Sequence, residues 1–236
     1  MQNQQNNTYS GFDELLILEL MKNYNNAIVE DSIRYKGKSS KILDFGAGVG
    51  TLPLIFRDRF KIEPLCIEID EKNIDFLKNR KFKLRKSLLE AFEPVDLIFS
   101  SNVLEHINDD SNILKMFRGK LKDNGKIYLF LPAKMILWTK LDNLVGHYRR
   151  YEISNLKNLC KNNGFKIIKI HYSDFLGFFI TLIWKFLNFF QTKKFPSRSS
   201  LIFYDKYIFP LSRFLDKLGF RYLIGKNIIL VAKKMN

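Results

Sequence analysis

The chain has 236 residues, 46% of them hydrophobic and 27% charged. That suits one α/β domain with an elaboration, and it excludes wholesale disorder and collagen-like repeats. Two cysteines, Cys66 and Cys160, exclude a disulfide framework and a cysteine-based zinc site, and they fit a reducing compartment. The net charge of +15 is lopsided, with 15 Lys/Arg against 18 Asp/Glu in residues 1–110 and 24 against 6 in residues 111–236. Half of the 22 phenylalanines also fall in residues 171–236. A Lys- and Phe-rich compositional bias would act evenly along the chain. The uneven charge therefore points to an anionic partner such as phosphate, acidic glycan or a membrane surface. The polar, uncharged start, Met1–Asn7, is not a signal peptide, so a cytoplasmic location is expected.

In chain order, Phe12, Leu15, Leu16, Leu20, Tyr24, Ala27 and Ile28 recur at helical spacing and predict one amphipathic helix over 12–28. Lys41–Phe45 reads as a short buried strand running into glycines. Strands are then expected at Pro64–Ile69, Phe82–Arg85, Val95–Ser100 and Lys126–Leu131. Helices are expected between them at Thr51–Arg59, Glu71–Asn79 and Asp109–Leu121, with Asn124-Gly125 as a turn. A helix at Glu152–Asn162, a strand at Phe165–His171 and a last strand at Asn227–Ala232 complete the pattern. Strict alternation implies an α/β fold with a doubly wound, mostly parallel sheet and right-handed crossovers. The expected organisation is a helical cover (1–40), a core (41–172) with an acceptor-side segment (132–151), a helical insertion (173–222), and the last core strand (223–236).

The sharpest motif is Asp44-Phe45-Gly46-Ala47-Gly48-Val49-Gly50-Thr51. Glycines at a strand-to-helix turn let the backbone approach a ligand, and the helix N-terminus offers free N–H groups. Thr51 fits the dinucleotide fingerprint G-x-G-x-x-G poorly, which disfavours a nicotinamide oxidoreductase. Glu68, about twenty residues on and after the next strand, is placed to accept bonds from a ribose diol. Together the glycines and the acid make a nucleoside pocket.

These segments resemble the class I S-adenosylmethionine-dependent methyltransferases. Ile42–Gly50 is similar to their first motif, Cys66–Asp70 to their second-strand acid, Val95–Ile107 to their fourth-strand segment, and Leu121–Ile127 to the turn before their fifth strand. Asn23–Asn25, Leu131–Ala133, Leu141-Asp142, Gly146-His147-Tyr148-Arg149-Arg150-Tyr151 and Tyr172–Gly177 resemble one bacterial subgroup, whose relatives occur alone or fused to glycosyltransferases of lipid-linked sugars. The resemblance implies a seven-stranded Rossmann-like sheet, S-adenosylmethionine as cofactor and S-adenosylhomocysteine as product. It implies that Asp44, Gly46, Ala47, Gly48 and Gly50 surround the methionine portion and that Glu68 holds the ribose. Ile69 and Leu88 would flank the adenine, and Asn102 would face the sulfonium. Relatives often carry an acid after the third strand; here Lys86-Ser87-Leu88-Leu89 stands instead, leaving adenine to backbone groups or Ser87.

Methyl transfer asks mainly for alignment of a nucleophile with the sulfonium, and a hydroxyl acceptor can also need a base, usually His. His106, beside Glu105, is one candidate; the alternative is that both only cap and orient the next helix. His147 is the other candidate, and His171 reads as structural. Tyr148, Arg149 and Arg150 form a candidate acceptor clamp for phosphate or carboxylate, although Glu152 can pair with either arginine. Glu105 and His106 alone do not make a metal site, and none is expected.

The run Phe175–Phe190, followed by Lys193, Lys194 and Arg198, is short for a membrane span. It reads as a lid over the acceptor, an interfacial helix or a short span, with a second amphipathic stretch at Leu201–Leu218. The leading expectation is O-methylation of a small-molecule, glycan or lipid-linked acceptor, with 175–218 at an anionic membrane surface on the inner face. An RNA or DNA methyltransferase is an alternative, disfavoured because Ser101–Leu104 lacks an Asn/Asp-Pro-Pro-aromatic motif. A non-catalytic cofactor-binding partner is the other.

Overall fold

The computed structural model describes residues 11–37, 41–91, 93–187 and 196–235. The polar start at 1–7, the end of the apolar run at 188–190, and Lys193 and Lys194 lie outside the described residues.

Helices α1 (Phe12–Leu18) and α2 (Lys22–Ile33) open the fold. The single helix expected over 12–28 is thus two. Met21 leaves helical backbone (φ −81°, ψ 68°), and the Asn25 amide donates to Leu18 O at 3.0 Å, holding the corner. There follow β1 (Ile42–Phe45), α3 (Thr51–Phe60), β2 (Leu65–Ile67), α4 (Glu71–Asn79), β3 (Leu84–Arg85), β4 (Val95–Ser101), α5 (Asp110–Lys120), β5 (Leu121–Pro132), α6 (Lys140–Leu144), α7 (Ile153–Asn162) and β6 (Phe165–Ser173). The insertion holds α8 (Phe175–Leu187), α9 (Arg198–Phe203) and α10 (Phe209–Lys217) before β7 (Asn227–Lys234).

The seven strands run in the order β3-β2-β1-β4-β5-β7-β6; all neighbouring pairs are parallel except those made by β7. Strand alternation sorts side chains onto two faces. Ile127, Leu129 and Leu131 of β5 join Leu230 of β7, Phe117 of α5 and Leu156 of α7. Tyr128 and Phe130 turn the other way and join Val231, Phe56 of α3 and Val29 of α2. Both layers are therefore dry, and the carboxyl ends of the parallel strands form the rim where loops can carry chemistry.

β5 begins earlier than the Asn124-Gly125 turn suggests. Leu121 already pairs with Val95, and the ladder resumes at Leu97–Lys126, so the turn is a bulge inside the strand with Asn124 at φ 64°.

In the insertion, α9 runs through a π turn (Tyr204–Ile208) into α10. Pro210 has no N–H for the carbonyl four residues back, which is a local reason for the widening. The start of α8 is capped from α10: Asp216 accepts from Asp174 N (2.8 Å) and Phe175 N (3.3 Å), and Ser212 Oγ from Leu176 N (2.9 Å). α8 buries Gly177 and Phe178 but exposes Phe179, Ile180, Ile183, Phe186 and Leu187. Among the described residues, no helix is long and apolar enough to cross a membrane.

Candidate active site

β1 ends in a turn that only glycine can build. Gly46, Gly48 and Gly50 have φ of 79°, 55° and 88°, and a Cβ on Gly46 would collide with the Val103 methyls. Gly46 N and Ala47 N both donate to Ile67 O, which folds the turn back over β2. At the end of β2 the Glu68 carboxylate accepts from Gly48 N (2.7 Å), Ile69 N (2.8 Å) and Asp70 N (3.0 Å). The two predicted halves of the nucleoside pocket are thus one hydrogen-bonded unit. Asp70 caps α4 through Lys72 N and Asn73 N.

Beneath the turn, Asp44 is 2% exposed and its Oδ2 has no partner. Burial, with Glu68 nearby, pushes its carboxyl up to about 8. At the far side, Ile69 is exposed, Ser87 Oγ accepts from Leu89 N, and Leu88 is buried in the sheet's core while Leu89 beside it is exposed. The exposed apolar pair at this end is therefore Ile69 and Leu89, whereas Leu88 faces inward.

Sequence patterning does not reveal what covers the turn. A Cβ on Gly48 would sit 3.4 Å from Leu15 of α1. α1 is held there by Phe12 against Phe76 (5.1 Å) and by Glu19 with Arg80 (2.9 Å), whose guanidinium also donates to Val49 O. These pairs join residues some sixty positions apart, a distance at which local periodicity carries no signal.

A second cluster gathers behind β4 and β5. Asn102, at φ 53°, donates its N–H to Phe130 O and is exposed at the strand end. A 3-10 turn then carries Leu104, Glu105 and His106. Asp109, not Glu105 or His106, caps α5 by accepting from Asn112 N. Glu105 is completely buried, and neither carboxylate oxygen has a hydrogen-bond partner. Burial pushes its carboxyl up to about 8 and, together with His147, pushes the His106 imidazole down to about 4.

Facing it is the Gly146–Tyr151 run. His147 Nδ1 lies 2.8 Å from Asp142 Oδ1, and its Nε2 lies 3.9 Å from Glu105 Oε1. The rings of His106 and His147 meet edge to face at 4.5 Å. Asp142 also takes Arg150 through two nitrogens (2.8 and 3.1 Å) and Thr139 through N and Oγ1. Burial alone would raise its carboxyl, but the bonds from His147 and Arg150 hold it well below the usual carboxylate range. The signal for Asp142 in the sequence is the capping box Thr139-x-x-Asp142.

The arginines are engaged within the chain. Arg149 pairs with Asp110 (2.6 Å) and donates to Asn108 O, and Arg150 belongs to Asp142; Glu152 pairs with Lys134 instead. Tyr148 donates its N–H to Glu105 O while its ring is exposed. His171 lies apart in β6, with Nδ1 2.6 Å from Tyr172 O. The structure thus brings together a glycine–acid cradle and a Glu–His–His–Asp cluster, joined where Gly46 packs on Val103.

A family model described as a methyltransferase domain matches residues 17–170. No curated protein matches the sequence. Among solved structures, the chain is similar to a SAM-dependent methyltransferase from Archaeoglobus fulgidus at 20% identity and TM-score 0.62, covering 94% of this chain and 99% of that one. It is also similar to phosphoethanolamine N-methyltransferase 2 of Haemonchus contortus in complex with S-adenosyl-L-methionine (16% identity, TM-score 0.60, 98% of this chain and 59% of that one). A cyclopropane synthase of Mycobacterium tuberculosis is a third (15%, TM-score 0.55, 88% and 82%). At these identities the likeness is one of fold.

Proposed function

The chain belongs to the methyltransferase-domain family, and on that premise we propose that it methylates an oxygen of an amphiphilic acceptor, a glycan or small molecule carried on a lipid. It is an S-adenosylmethionine-dependent methyltransferase. The cradle fits that cofactor on three counts. Its turn admits no side chain at position 46, the orphaned Asp44 oxygen complements an ammonium, and Glu68 Oε2, which accepts only from Gly48 N, keeps one acceptor site for a ribose hydroxyl. Asp44, Gly46, Ala47, Gly48 and Gly50 would hold the amino-acid portion, Glu68 the ribose, and Ile69 with Leu89 the adenine. Ser87 and Asn102 border the two ends. When bound, the cofactor supplies an activated methyl group on a sulfonium.

The protein's own contribution is placement. The cluster beyond Asn102 presents His106, His147 and Tyr148 toward the acceptor side. Asp142 fixes the His147 ring through Nδ1, so Nε2 is the nitrogen that remains to take a proton from an acceptor hydroxyl. Arg149 and Arg150, committed to Asp110 and Asp142, act as positioning residues for this loop.

The observation that supports an amphiphilic acceptor is α8. Its exposed Phe179, Ile183, Phe186 and Leu187 lie on a helix that packs against the turn Met135–Leu137, where Met135 and Ile136 are also exposed and Lys185 Nζ donates to Ile136 O. This apolar surface is therefore continuous with the acceptor-side segment, on the strongly basic half of the chain. Co-sedimentation with anionic vesicles at low and high salt tests the reading. Salt-sensitive binding that is lost in Phe179→Ser/Ile183→Ser/Phe186→Ser, with cofactor binding intact, supports it. No vesicle binding by cofactor-competent wild type overturns it in favour of a soluble acceptor.

A further inference from the structure

We propose that Glu105, His106 and His147 form a binding site for one divalent transition-metal ion, with coordination positions left for water or an acceptor oxygen. One ligand atom from each of the three residues lies within 4.8 Å of the others. Tetrahedral bonds of about 2.1 Å place ligand atoms about 3.4 Å apart. Closing the 3.9 Å between His147 Nε2 and Glu105 Oε1 is then a small side-chain adjustment.

Two independent features point to a cation. Glu105 is 0% exposed and both its oxygens lack a partner, a state that is costly whether the group is ionised or protonated. His147 is already oriented by a carboxylate on its other nitrogen, the arrangement that fixes the tautomer and ring plane of a metal-binding imidazole. The His106 ring donates toward the backbone carbonyls of Val145 and Gly146 and meets the His147 ring edge to face at 4.5 Å, which fixes its place in the cluster.

Two imidazoles and a carboxylate suit zinc, iron or a similar borderline ion better than magnesium or calcium, which prefer oxygen. The site stands two residues beyond Val103, the residue packed against Gly46, and so beside the methyl-donor cradle. The base role proposed for His147 Nε2 belongs to the ion-free state; with an ion bound that nitrogen is a ligand. Ion binding itself does not rest on the acceptor reading; only its use does.

The test is titration of the metal-stripped full chain with Zn2+ alone, by calorimetry, followed by Co2+ substitution and visible absorption, without methyl donor or acceptor. The expected result is one ion per chain, weakened at least about tenfold in Glu105→Gln and in His147→Gln, and about 10–100-fold in Asp142→Asn. His171→Gln, outside the cluster, is expected to bind the ion like wild type. Should those variants fail to fold, X-ray absorption on the wild-type Co2+ form decides: imidazole nitrogens in the shell support the site, and an all-oxygen shell overturns it. Absence of stoichiometric ion in wild type, or equal affinity in folded Glu105→Gln and His147→Gln, also overturns it.

Discussion

Gly48 N donates to Glu68 Oε2 at 2.7 Å, so the turn after β1 and the acid after β2 are locked before any ligand arrives. Preorganisation of this kind lowers the ordering cost of binding. It also makes the cradle sensitive to backbone changes that leave every polar group in place.

Gly46→Ala is the sharpest such change. The new Cβ meets the Val103 methyls, and φ of 79° disfavours any side chain. We expect a loss of about 1–3 kcal/mol in stability together with weakened S-adenosylhomocysteine binding, read by thermal melts and calorimetry. Adding Val103→Ala should restore part of the loss, because it relieves the collision and not the dihedral.

Asp44 sets a pH dependence. Its folded carboxyl is raised from 3.8 to about 8, so the folded state holds the proton more tightly than the unfolded chain does. The stability this contributes is full below about pH 4 and is lost as pH rises toward 8, with a slope approaching about 1.4 kcal/mol per pH unit. Asp44→Asn should flatten this part of the cofactor-free profile relative to wild type, while weakening donor affinity. Parallel wild-type and variant profiles would remove Asp44 from the account.

Asp142→Asn should slow methyl transfer by about 10–100-fold while leaving donor affinity near wild type, because it frees His147 and Arg150 without touching the cradle. The effect should fall on kcat more than on the KM of the donor. A matched loss of donor affinity would mean that the two clusters are not separable.

Asp205 accepts from Asn23 N (3.0 Å) and Tyr24 N (2.8 Å), supplying from the insertion the cap that Met21 cannot give α2. Asp205→Ala should cost about 1–2 kcal/mol. It should also reduce hydrogen-exchange protection in the first turn of α2 before the sheet is affected.

What was legible in the sequence was local. Short apolar runs marked the strands, and the helix expected at Glu71–Asn79 has those same bounds, because Asp70 caps it from the adjacent position. The glycine turn and Glu68 were legible because each sits beside a strand end. Features made by distant partners were not: the break at Met21, the Asp205 cap, and α1 over Gly48. The same holds for Glu105 and His147, whose approach depends on how two loops fold over one another. Arg149 and Arg150 show the limit most plainly. Glu152 was their nearest acid in sequence, yet Asp110 and Asp142 hold them, eight positions or more away.

The most direct measurement is calorimetric titration of S-adenosylmethionine into the wild-type chain and into Glu68→Ala, with circular dichroism to establish that both are folded. One site per wild-type chain is expected, with at least about tenfold weaker binding in the variant, the loss that follows removal of a charged hydrogen-bond partner. A folded wild type that does not bind, or a variant that binds as tightly as wild type, would contradict it.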